Sequence, residues 1–141
     1  MTASDYILGI DYGAKRVGVA IAHTIARLPR PLTTLETTDH LVADIQRLIT
    51  AESIGLVIVG VPRNMDGSES KQSQVCEAFA RELSGALEVP VRIADETLSS
   101  EEAESALHAL GKDYTKADID AMSATLILER YFDEQGDSSG I

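Results

Sequence analysis

Ile7-Leu8-Gly9-Ile10-Asp11-Tyr12-Gly13-Ala14-Lys15-Arg16-Val17-Gly18-Val19-Ala20-Ile21 is the stretch on which the fold turns. Residues 7–10 form a short apolar run that ends in one carboxylate, Asp11. Gly13 follows where a tight turn needs a residue free to take positive φ. Val17, Val19 and Ile21 then alternate with Gly18, Ala20 and Ala22, the pattern of a buried hairpin partner. An unpaired buried charge costs several kcal/mol. Asp11 is therefore expected at a strand end, facing a cation, a basic partner or solvent. A turn Asp accepting backbone N–H bonds is the alternative.

Working outward, the chain alternates between the two structural periods. Strands are expected at 6–12 and 16–23, and a third at 32–35 after the Leu28-Pro29-Arg30-Pro31 link. Short links make these an antiparallel meander. Asp39 can cap a helix whose stripe is Leu41, Val42, Ile45, Leu48 and Ile49, with Gly55 closing the region. Leu56-Val57-Ile58-Val59-Gly60-Val61 reads as a central strand covered on both faces. Asp66-Gly67 marks a turn, and Ser68 can cap a helix carrying Val75, Cys76, Phe79, Ala80, Leu83 and Leu87. Val91-Arg92-Ile93-Ala94 is a short strand ending in Asp95-Glu96. Ser99 and Glu102 fit the capping box of a further helix. A last helix starts near 116–118, with Ile119, Met122, Leu126 and Ile127 inward. Residues 136–141 have the composition of a disordered tail, leaving one domain over 1–135. Three strands followed by alternating helix and strand predict an α/β protein: a mixed five-stranded sheet flanked by helices, in the ribonuclease H-like arrangement.

Composition narrows the function. The 141 residues carry a formal net charge of −11, unlike a general nucleic-acid binder. The distribution differs from the sum. No acid falls between Asp11 and Glu36, while Lys15, Arg16, Arg27 and Arg30 do, a basic strip beside an acidic strand end. No apolar run approaches the roughly 20 residues of a membrane span. One cysteine, Cys76, on an apolar helical stripe suggests a buried thiol and, with no leader pattern, a cytoplasmic protein. His23, His40 and His108 lack metal-ligand spacing, and no phosphate-loop or dinucleotide fingerprint is present.

Acids stand at three element ends: Asp11, Asp95-Glu96, and Asp118 with Asp120 in the first turn of the last helix. Converging carboxylates repel unless a hard cation separates them, and Mg²⁺ prefers such oxygens. The alternative for Asp118 and Asp120 is complementation of the helix dipole.

These motifs resemble the YqgF/RuvX family of pre-16S rRNA nucleases and Holliday-junction resolvase-like proteins. The resemblance covers about residues 6–133. It rests on Gly9-Ile10-Asp11-Tyr12-Gly13 with Lys15-Arg16-Val17-Gly18-Val19-Ala20, on Val59-Gly60-Val61-Pro62 with Asn64-Met65-Asp66-Gly67, and on Asp95-Glu96-Thr97-Leu98-Ser99-Ser100. Asp120-Ala121-Met122-Ser123-Ala124 with Ile127-Leu128-Glu129-Arg130-Tyr131-Phe132 completes it. It implies a ribonuclease H-like, metal-dependent phosphodiesterase with Asp11, Glu96 and Asp120 as catalytic and metal-binding carboxylates, and Asp95 as a neighbour or further ligand. Mg²⁺ or Mn²⁺, as two ions, is the implied cofactor. Lys15, Arg16, Arg30 and Arg63 would meet substrate phosphates. The implied substrate is the 5′ end of pre-16S rRNA during ribosome biogenesis, with the ribosome or its precursors as partners and no membrane. Branched DNA is the alternative substrate, and a non-catalytic nucleic-acid-binding module the alternative role. Monomer and homodimer both stay open. Thr97 stands where the family usually has Arg, so Arg92 or Arg63 would have to supply that charge. A phosphotransferase of the actin type, suggested by Asp11-Tyr12-Gly13, would need a second domain and ranks last.

Overall fold

The computed structural model describes residues 5–62, 70–96, 105, 107–109, 111 and 115–139, with backbone alone at Glu96 and 135–139. Strands β1 (Tyr6–Tyr12), β2 (Arg16–His23) and β3 (Arg30–Glu36) form the antiparallel meander. Helix α1 (Leu41–Glu52) leads into β4 (Ile54–Pro62), and α2 (Lys71–Ala86) into β5 (Val91–Glu96). Helix α3 (Lys116–Ser139) closes the described chain. The sheet order is β3-β2-β1-β4-β5, with β1, β4 and β5 parallel. This is the ribonuclease H-like mixed sheet that the element order predicts.

The alternation in β2 has a sharper meaning than a buried partner strand. Val17, Val19 and Ile21 point with Leu8, Ile10, Val57 and Val59 into the core shared with Ile45 of α1 and with Phe79 and Leu83 of α2. Each such side chain, fully buried, stabilises by about 1.5–3 kcal/mol. The small residues of the opposite parity form the seat of α3. Ala20 and Ala22 join Ile7, Ile58, Ala94, Ala124, Ile127 and Leu128 in a second core. At Gly18 a Cβ would lie 1.8 Å from the Asp120 carbonyl oxygen, and at Gly9 it would lie 2.6 Å from Leu128 Cγ. The helix backbone lies against the strand itself.

Several element ends differ from expectation. Helix α1 has His40 at its N-cap with no side-chain cap bond, in place of Asp39. It ends on Ser53 in the left-handed region (φ 57°), so Gly55 belongs to β4. Helix α2 is capped by Ser70, whose hydroxyl accepts from Ser73 N, while Ser73 Oγ donates to Pro62 O at 2.7 Å and ties the helix to the end of β4. Ser68 lies outside the described residues, as do Arg63, the rest of the 63–69 loop, Thr97, and the Ser99–Glu102 box. Of the helix expected beyond that box, residues 105 and 107–109 are described and helical. In α3, Ala124 and Leu128 are fully buried, whereas Ile119 and Leu126 are half-buried, because Gly9 and Gly18 draw the small-residue face inward. Its backbone runs through Gly136 to Ser139, inside the span whose composition suggests a tail.

Gly18 and Gly85 provide opposite tests of this packing. Gly18→Ala must displace α3 and should cost about 1–3 kcal/mol. At Gly85, in α2, a Cβ meets nothing within 4 Å, so Gly85→Ala should stabilise by about 0.5–1 kcal/mol. Urea unfolding of both variants measures the two shifts.

Candidate active site

The site begins with strand register. Asp11 stands opposite Gly18 on β2, one residue past the Ile10–Val59 pair with β4. It shares parity with Gly9, so it lies on the α3 side of the sheet. The missing side chain at Gly18 lets the first turn of α3 settle beside it, which brings Asp120 to Asp11. On the other flank, β5 pairs Ala94 with Gly60, Asp95 with Val61 and Glu96 with Pro62. The end of β5 is thus separated from β1 by one strand, roughly 10 Å across the sheet. Asp95 is exposed and falls on the opposite parity from Ala94, which packs toward α3. The Glu96 side chain lies outside the described structure.

Three contacts hold the start of α3 in place. Thr34 Oγ1 of β3 donates to the Ala117 carbonyl at 2.6 Å. Thr115 N donates to Asp118 Oδ2 at 2.9 Å, and Asp118 N donates to Thr115 Oγ1 at 3.2 Å, a reciprocal cap. Asp118 is therefore a capping residue. The third contact is an ion pair: Arg16 Nε donates to Asp120 Oδ2 at 2.6 Å. Asp11 has no hydrogen-bond or ion-pair partner among the described residues. Burial pushes its carboxyl from the ordinary 3.8 up to about 7, and the neighbouring Asp120 charge adds to the rise.

The basic strip does not stay together. Lys15 is exposed in the β1–β2 turn beside Arg16. Arg30 pairs with Ile21, toward the other end of the sheet from Gly18 and Asp11. Arg27, at φ 55°, places its guanidinium 5.8 Å from the Phe132 ring centre, also at that end. Arg92 is exposed on β5 at the level of Ile58. His23 caps its own turn by accepting from Ile25 N at 3.1 Å, and Cys76 is buried, as its place on an apolar stripe predicts. Among the described residues, no three His, Cys, Asp or Glu side chains come together as a metal site. Asp11 and Asp120 do converge, an all-oxygen pair of partly buried carboxyls in which the Asp120 charge raises the cost of ionising Asp11. That donor chemistry fits a hard divalent cation. The Arg16–Asp120 pair escaped sequence reasoning because its partners lie 104 residues apart and neither is unusual in its own segment.

The raised Asp11 value carries a pH signature. The folded state holds a proton that the unfolded chain has lost between about pH 4 and about 7, so metal-free stability falls as pH rises through that window. Asp11→Asn should flatten that slope and stabilise the metal-free protein at pH 8 but not at pH 4. Thermal melts across pH in the presence of a chelator measure it.

Residues 5–134 match the RuvX family, described as Holliday junction resolvase. A Shewanella denitrificans protein named as a pre-16S rRNA nuclease is 40% identical over 141 residues, covering 97% of this chain and 100% of the relative. One from Chloroflexus aurantiacus with the same name is 40% identical over 131 residues, covering 90% and 86%. Among solved structures, Thermus thermophilus RuvC in complex with Holliday junction substrate superposes with TM-score 0.60 at 15% identity, over 94% of this chain and 96% of that one. The fowlpox virus resolvase bound to Holliday junction DNA gives 0.54 at 12% identity, over 90% and 98%. The structural likeness establishes the shared ribonuclease H-like fold. By its sequence match across nearly its whole length, this chain belongs to the RuvX family.

Proposed function

We propose that this protein is a metal-dependent nuclease that hydrolyses phosphodiester bonds of structured nucleic acid, with the 5′ end of pre-16S rRNA as its substrate. The observation that carries the reading is the meeting of Asp11, at the end of β1, with Asp120, in the first turn of α3, in a RuvX-family fold where burial and the Asp120 charge raise the Asp11 proton affinity. The substrate follows from the names of the relatives. Resolution of branched DNA is the second reading, favoured by the fold shared with RuvC and the viral resolvase.

Asp11 and Asp120 would hold Mg²⁺ or Mn²⁺, with Glu96, which shares the parity of Ala94, completing the set for two ions, and Asp95, on the opposite parity, standing beside it as a neighbour rather than a ligand. When bound, such ions polarise a water for attack on phosphorus and offset charge on the leaving oxygen. The chain's own contribution is placement. Asp11 is paired with Gly18 of β2 and directly follows the last β1–β4 pair, and Asp120 stands on a helix whose start is bonded to β3. Rigid carboxylates lose little order on binding a cation. Lys15, exposed beside them, can attract the phosphate backbone despite the net charge of −11. Arg63 belongs to the same proposal through the family resemblance. Arg30 is too far along the sheet to share a phosphate with Lys15, and would meet a more distant part of a long substrate. Among the described residues no helix is long and apolar enough to cross a membrane. Action in the cytoplasm on ribosomal precursors is the setting this reading implies.

Incubation with a 5′-extended 16S rRNA precursor and with a four-way DNA junction, each with Mg²⁺ or Mn²⁺, tests the assignment. The RNA should be cut, and Asp11→Asn should reduce cutting by at least ~100-fold, since even outer-shell changes at metal sites cost about 10–100-fold. Cutting of the junction alone would favour the second reading. Salt-sensitive binding without cutting of either would make the protein a binding module. Lys15→Ala should weaken binding to all sequences alike and lower the salt dependence by about one counterion.

A further inference from the structure

The Arg16–Asp120 ion pair is not the sole anchor of α3. The helix start already rests on Gly18, is bonded through Thr34 to Ala117, and is capped by Thr115 and Asp118. Only Nε of Arg16 is engaged among the described residues, which leaves both Nη groups as donors. The Arg16 side chain is 38% exposed and Asp120 24%, so the guanidinium has room to leave while the carboxylate stays in the site. Arg16 is the first residue of β2, next to the exposed turn that carries Lys15.

We infer that Arg16 is a stand-in cation: it neutralises Asp120 in the metal-free protein, and exchanges Asp120 for the substrate phosphate when a divalent metal arrives. The inference rests on the metal-dependent reading above. Charge favours the exchange. With one divalent cation bound and the Asp11 proton displaced, two carboxylates, one guanidinium and the cation sum to one net positive charge. A phosphodiester, itself a monoanion, is then the matching ligand. The planar guanidinium can grip two phosphate oxygens at once, which a lysine ammonium cannot. Metal binding and phosphate binding would thereby support one another through one side chain. Before metal arrives, Asp120 is kept from swinging out of the site.

The test is metal binding by the full chain without nucleic acid, read from the EPR signal of free Mn²⁺. Arg16→Met should bind Mn²⁺ roughly ten-fold more tightly, since a competing cation within about 4 Å is gone. Arg16→Lys, which keeps the charge, should bind like the parent. Unchanged or weaker binding by a folded Arg16→Met protein would overturn the inference while leaving the nuclease reading intact. Absence of Mn²⁺ binding by the parent would overturn both. A second measurement needs no variant: the Arg16 Nε–Hε NMR signal under Mg²⁺ titration. It should move from a protected, hydrogen-bonded position to the fast-exchanging one of a free arginine. A signal that stays protected at saturating Mg²⁺ would count against the exchange.

Discussion

The contact between the start of α3 and β2 at Gly18 governs the rest of the molecule. A strand normally keeps a helix at side-chain distance. Here Gly18 has none, and the Asp120 carbonyl lies where a Cβ would be. Gly9, one strand over, does the same for Leu128. With these two glycines on the same face of neighbouring strands, α3 lies along the sheet close enough for a carboxylate on its first turn to reach a carboxylate at the end of β1. The second core of Ala20, Ala22, Ala94, Ala124 and their larger neighbours fills in behind that contact. Small residues serve here to set a distance, and the large apolar residues on the other face supply most of the burial.

That distance creates an electrostatic problem which the fold leaves partly unsolved. Asp120 has Arg16, but Asp11 has no partner among the described residues, and its proton affinity rises accordingly. A purely structural carboxylate would be paired or hydrated, because uncompensated burial of charge is costly. A pair held close while one member lacks a counter-ion is the arrangement expected where a ligand supplies the missing charge. The anchoring of α3 by Thr34 and by the Thr115–Asp118 cap holds this arrangement in place.

Some of the acids and bases along the chain are ordinary. Asp118 completes a helix cap. Arg27 lies against Phe132. His23 accepts from the backbone of its own turn. In sequence these residues look as chemically equipped as Asp11 or Arg16. The difference is which end of the sheet each occupies, and two-residue steps along paired strands decide that.

The strand–turn–strand of the first 23 residues, the doubly covered central strand, the apolar stripes and the α/β plan were all legible in the chain. Hydrophobic periodicity is a local property, and solvent exclusion acts on it wherever the segment ends up. Asp11 was legible too, as an acid at the end of an apolar strand. The cap at Ser70 and the left-handed stop at Ser53 were not, since serine and glycine compete for such positions with small energy differences. The meaning of Gly18, the bond from Thr34 to Ala117 and the pairing of Arg16 with Asp120 were decided by tertiary structure alone. They depend on which residues from distant parts of the chain share a register position and a face. Local sequence fixes the parity of a side chain along its own strand, but only packing chooses what stands opposite it.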